Sequence, residues 1–145
     1  MATVPSIRIF PMSSKLAGFV DREIADVQRR LFLRDLPKSN GRWPYQSAGL
    51  NALPGSLVLF QFRARIIASA IFLRDERFDR PRRGHAGVLH FDPKTIQTFA
   101  PLDLDRMRAI WPAFRAFGHV KQHLNPTLYA KWKRRLADVD RPTPR

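Results

Sequence analysis

Two apolar runs, residues 57–62 and 66–73, are separated only by Arg63-Ala64-Arg65 and constrain the fold more than any other feature of the sequence. Each has the length of a strand and is rich in Val, Ile, Leu and Phe, interrupted only by Gln61 in the first and Ser69 in the second. A strand with one solvated face alternates apolar and polar residues, and these two do not. They read as a tight hairpin whose strands are buried on both faces or curled into a barrel.

The remaining elements fall around that hairpin. Residues 6–10 (Ser-Ile-Arg-Ile-Phe) alternate and read as a first strand ended by Pro11. Ser13 or Ser14 can cap a helix whose apolar positions Leu16, Val20, Ile24, Val27 and Leu31 recur at steps of three or four. Residues 37–55 are crowded with Pro, Gly and Asn and read as a loop, within which Trp43 and Tyr45 stand out. The charged stretch 74–85 reads as a polar loop, followed by strands over 87–91 and 95–99 around an Asp92-Pro93 turn. Asp103 caps a helix over 104–110 that Pro112 ends. Residues 114–124 fit either a closing strand or a broken helix, and Asn125-Pro126 opens a last helix to about Ala137. The expected class is α+β: a small, mostly antiparallel barrel of five or six strands with three or so flanking helices. Neither a repeat nor a domain boundary is visible, so residues 1–137 read as one domain and 138–145 as a frayed tail.

Charge narrows the partners. Lys and Arg number 26 against 12 Asp and Glu, a net charge of +14, and twenty of the bases are Arg. A GC-rich coding bias explains Arg in place of Lys but not the shortage of acids. Such a balance draws a chain to polyanions. No acid occurs between Asp35 and Asp75 or between Asp105 and Asp138, and these windows would form one positive surface if they folded side by side. No apolar run approaches a membrane span and no signal-peptide pattern opens the chain, so a cytoplasmic protein without membrane association is expected.

Enzyme motifs are sparse. Without cysteine there is no disulfide, thiol nucleophile or Cys-based zinc site. No Gly-x-Ser-x-Gly, Walker loop, dinucleotide fingerprint or His-Glu-x-x-His is present. His119 and His123 would share a helix face but have no third ligand nearby, so neither metal nor cofactor is expected. Asp103 is explained as a helix cap, and Asp75 and Glu76 as partners of their Arg-rich loop.

Binding features are stronger. Unpaired bases are held by stacking on aromatic rings while Lys and Arg hold phosphates. Trp43 and Tyr45, with Arg42 beside them, lie just before the hairpin that carries Arg63 and Arg65. Either they form a base platform or Trp43 caps the core with Tyr45 packed on it. Trp111, near Phe114 and Phe117, reads as core, and Trp132 as packing back with Leu128, Tyr129 and Leu136.

Trp43, then Pro54-Gly55-Ser56-Leu57-Val58-Leu59-Phe60, then Ile66-Ile67-Ala68-Ser69-Ala70 resembles the "Gly-Asp-x-Val-Leu-Phe … Ile-x-Gly-x-Gly" segment of PUA-like barrels. Residues 43–73 are most similar to the EVE and YTH-like branches, with ASCH domains more distant. Ser56 stands where that family has Asp, Ala68 and Ala70 where it has Gly, and the ASCH pattern Gly-x-Lys-x-x-Glu-x-Arg is missing. The resemblance implies a pocket beside the barrel that receives one modified or flipped-out base, in a restriction or defence setting or as an RNA-base reader. Trp43 and Tyr45 match the aromatic role; Asn51, Gln61 and Ser69 border or interrupt apolar strands and are candidates for reading the base edge. For Ser69 the alternative is a small residue that permits close packing.

The leading expectation is therefore a non-enzymatic nucleic-acid-binding module, for DNA or RNA, working with a separate nuclease or effector protein. Its phosphate contacts would come from Arg42, Arg63, Arg65, Arg82, Arg83, Lys121, Lys131, Lys133 and Arg134. The alternative is a small ASCH-like enzyme, a ribonuclease or amidohydrolase acting on RNA or a modified nucleoside, with His90, Asp92, His119 and Lys121 as acid–base candidates.

Overall fold

The computed structural model of the chain describes residues 4–12, 23–46, 50, 52–115, 117 and 124–140. Its centre is the hairpin of β3 (Leu57–Phe62) and β4 (Arg65–Arg82), paired antiparallel. Side chains alternate between two cores, with Leu57 and Leu59 in one and Val58, Phe60 and Phe62 in the other. The uninterrupted apolar run thus reflects a strand covered on both faces. Phe60 pairs with Ala68 and Gln61 with Ile66, so Ile67 is an extra residue in a β-bulge that resets the alternation along β4.

Strand β1 (Ile7–Met12) adds to β3 in parallel, the exception to an otherwise antiparallel sheet. It runs through Pro11 rather than stopping there. As an edge strand it leaves that position without a required backbone donor. On the other side of β4, β5 (His85–Phe91) pairs with its distal half and β6 (Gln97–Leu102) with its proximal half. Between them a single 3-10 turn (Pro93–Thr95) is capped by Asp92, whose Oδ1 accepts from the Lys94 N–H at 3.0 Å. Strand β2 (Arg42–Tyr45) pairs with β5, giving the order β1-β3-β4-β5-β2 with β6 beside β4.

Two stretches expected to be loops are therefore strands. Residues 42–45 are drawn into the sheet by β5 despite Pro44, which an edge strand tolerates. Residues 74–82 continue β4 past the core, where the exposed ribbon has no apolar face to create an alternation. The hairpin closes at Arg83 and Gly84, whose φ values of 50° and 80° match a type I′ turn. β1 and β2 end the strand order, and no hydrogen-bonded pairing joins them among the described residues. Among the described residues the fold is α+β with a mostly antiparallel sheet of six strands, and that sheet is not closed into a barrel.

Helical turns cover both faces. Residues 24–38 form one run: α1 (Ile24–Val27), a π-helical segment (Gln28–Asp35) and α2 (Leu36–Lys38). Val27, Phe32 and Leu36 pack on the core that holds Phe60. Gln28 Nε2 donates to the carbonyls of Ile67 (2.8 Å) and Phe99 (2.7 Å), at the bulge where β4 and β6 fall out of register. The expected start of this helix at Ser13 or Ser14 lies outside the described residues. On the opposite face α3 (Leu104–Ile110) contributes Met107 and Ile110, and α4 (Tyr129–Asp140) contributes Trp132 and Leu136. Asp103 caps α3 through the Arg106 N–H, and α4 extends three residues past Ala137. Among the described residues no helix is long and apolar enough to cross a membrane.

Candidate functional site

Where α4 crosses β4 and β6, packing leaves a cavity of about 360 Å³. Pairing with Leu59 and Gln97 places Ser69 on the β4 face that floors it, 2% exposed. Gln97 lines the β6 side. Thr95 fixes the adjoining turn: its Oγ1 accepts from the Ile71 N–H at 2.8 Å and donates to the Asp92 carbonyl at 2.7 Å. Tyr129, Trp132 and Lys133 line the α4 side, a spacing that puts all three on one helical face.

The two rings differ in freedom. Trp132 is 1% exposed, edge-to-face with Phe99 at 5.2 Å and tilted against Trp111 at 5.7 Å. It is a rigid wall. Tyr129 is half-buried, with Lys133 Nζ 5.5 Å from its ring centroid. Lys94 and Lys133 are exposed cavity-lining residues, and among the described residues neither is in an ion pair. The site thus combines an aromatic wall, hydroxyl and amide groups, and two exposed lysines.

Of the expected base-pocket residues that are described, Ser69 lines this cavity and Trp43, Tyr45 and Gln61 do not. Trp43 lies in the second core, stacked on Phe60 (5.4 Å, 26°) and Phe32 (6.3 Å, 29°) and edge-on to Phe10 (5.3 Å). Tyr45 is 6% exposed and donates its hydroxyl to Asp75 Oδ1 at 2.6 Å. Burial, then the bond to that carboxylate, raises the phenol's pKa above its ordinary value. Its hydroxyl crosses Gly87 so closely that any Cβ there would overlap it. Gln61 donates to the Arg63 carbonyl at 3.0 Å near the β3–β4 turn, four residues along β3 from the cavity-lining Leu57. Asn51 lies outside the described residues.

Among the described residues, the expected phosphate contacts lie at several places along the strands and α4. Arg63 and Arg65 stand at one end of the 18-residue β4 and Arg82 and Arg83 at the other. Arg63 sits over the Phe62 ring and Arg82 over Phe78. Lys133 lines the cavity; Lys131 and Arg134 share its helix but not its lining. Arg42 is exposed on β2. Lys121 lies outside the described residues.

Among the acid–base candidates, Asp92 is occupied as a cap, while His119 and Lys121 are not described. His90 Nε2 is 2.8 Å from Glu76 Oε1, away from the cavity lining. That hydrogen bond, with Arg74 and Arg42 adding to it, holds the Glu76 carboxyl below its ordinary pKa against the effect of burial. Among the described residues no group of three or more His, Asp or Glu is arranged to hold a metal ion.

Tyr129, Gln97, Thr95 and Lys94 were not legible as a site. The one available signal is the spacing of Tyr129, Trp132 and Lys133, which reads equally well as a helix packing back on a core. Comparison of the chain with protein-family models, curated proteins and solved structures finds no significant match.

Proposed function

We propose that the chain is a nucleic-acid-binding domain that seats a single nucleobase in the cavity between β4, β6 and α4. The observation that carries this reading is the convergence on one cavity of Tyr129, Ser69, Gln97 and the exposed Lys94 and Lys133. Tyr129 offers a ring for stacking, Ser69 and Gln97 offer hydrogen-bonding groups for a base edge, and the lysines meet the flanking phosphates. The volume lies within the range of small-ligand sites. The net charge of +14 supplies the long-range attraction. Trp43, committed to the second core, supports the fold in this reading rather than the base.

The test is fluorescence anisotropy with short single-stranded DNA and RNA, bearing modified and unmodified bases, over a salt series. Affinity falls as salt rises. Tyr129→Ala removes a stacking contribution of about 1–3 kcal/mol, a loss of roughly 5- to 150-fold. Removing Lys94 and Lys133 together lowers the salt slope by about 1.4. Absent or salt-independent binding refutes the proposal.

A further inference from the structure

The face of β4 that floors the cavity does not end there. Ser69 and Ile71 line the cavity; past an irregularity at Leu73, the same face carries Arg74 and Glu76. Register fixes their neighbours: Arg74 is opposite His90 on β5, and His90 is opposite Arg42 on β2. Leu89 and Phe91, which flank His90, point into the second core, so His90 faces the other way, with the cavity. Arg42, His90 and Arg74 therefore form one row across three strands. At about 4.8 Å per strand the two arginine backbones stand about 10 Å apart, close enough for both guanidinium groups to reach over the imidazole between them.

We infer that this row is a phosphate-binding site, taking the phosphodiester of a nucleotide next to the one seated in the cavity. The identity of the ligand rests on the nucleic-acid reading above; the anion site itself rests on the row. Arg42 and Arg74 are exposed, and a guanidinium can hold a phosphate through two parallel N–H···O bonds. The one internal competitor is Glu76. Its Oε1 is engaged by His90 at 2.8 Å and lies 3.9 Å from Arg74, a loose contact that leaves the guanidinium donors available. Register places Arg42 from β2 and Arg74 from β4 beside His90, with Glu76 next along β4 and the uncharged Val88 next along β5. Two arginines less one carboxylate leave a net charge of +1 on the row, which favours a phosphodiester. Ile71 and Arg74 are three residues apart, about 10 Å along the strand, so one short oligonucleotide spans both sites.

The test compares the wild-type chain with R42A/R74A and R42K/R74K, using two probes. The first is inorganic phosphate, read through the His90 imidazole signals by NMR. The second is a set of single-stranded oligonucleotides of increasing length, read by anisotropy. Phosphate is expected to shift the His90 signals in the wild type and not in R42A/R74A, with R42K/R74K intermediate. Oligonucleotide affinity is expected to fall about 10- to 100-fold in R42A/R74A, and the salt slope by about 1.4, whereas Tyr129→Ala weakens binding without changing that slope. Unshifted His90 signals, or oligonucleotide binding unchanged in R42A/R74A, would overturn this inference and leave the cavity reading standing. A phosphate response at His90 in a chain that binds no oligonucleotide would refute the cavity reading and keep the anion site.

Discussion

Replacing Trp43 with alanine separates a core role from a binding role. The indole is half-buried and meets Phe10, Phe32 and Phe60 with centroids 5.3–6.3 Å away. A fully buried Trp→Ala change costs about 3–5 kcal/mol. Half-burial scales that figure down, and with the three ring contacts already contained in it the expected loss is about 2–3 kcal/mol. For a chain of this size that lowers Tm by roughly 5–12 °C. Urea unfolding followed by tryptophan fluorescence measures it, since Trp111 and Trp132 remain as reporters. Trp43→Phe keeps most of the packing and should cost under about 1.5 kcal/mol. Oligonucleotide affinity, measured well below the unfolding temperature, should stay within about twofold of wild type. A stability loss below about 0.5 kcal/mol combined with lost oligonucleotide affinity would refute the reasoning and return Trp43 to the role of base platform.

Three further outcomes are expected. Tyr45→Phe removes a hydroxyl bond to a carboxylate and should cost about 1–2 kcal/mol in urea unfolding; because the folded-state pKa of Tyr45 is raised, its contribution is present below the ordinary phenol range and is lost as pH rises through the folded value. Gly87→Ala forces a Cβ against the Tyr45 hydroxyl and the Glu76 carbonyl, so it should destabilise by about 2 kcal/mol or more, and combining it with Tyr45→Phe should recover part of that loss. Glu76→Gln should lower Tm at neutral pH, with the difference shrinking as acid takes the wild type down through the depressed carboxyl pKa, where the native contribution of Glu76 is itself lost; an unchanged Tm difference across that range would remove the ion pair from the account.

Local pattern made part of this fold legible. The apolar runs around Arg63–Arg65 identify a hairpin covered on both faces, and Trp132 at helical spacing from Leu128 and Leu136 identifies a helix packing inward. The N-cap at Asp103 and the helix start at Asn125 follow from residue type and position. Two strands did not show. β2 contains Pro44 and sits among Gly, Pro and Asn, so only its pairing with β5 reveals it. Distal β4 is polar on both faces because it leaves the core, and a ribbon without an apolar face has no period to detect. The cavity was hidden for another reason: it joins β4, β6 and α4, which meet only in the folded chain, and its Ser69 looks like any small residue in a buried strand. Trp43 drew attention because an aromatic among loop-forming residues suggests a platform, whereas pairing with β5 turns it inward beside Phe60.

Gln28 has a kinetic consequence. Its amide fills the gap at the Ile67 bulge, where the β4–β6 ladder loses a step, by donating to one carbonyl on each strand. Backbone pairing alone leaves these two carbonyls without a strand donor; a helix from much earlier in the chain supplies it. Completing the β6 edge therefore includes contacts of long sequence separation, which are expected to form more slowly than the local β3–β4 hairpin. The same side chain makes the seam weaker once removed: Gln28→Ala should speed amide exchange along β6 before it affects β3, splitting one cooperative unit into two.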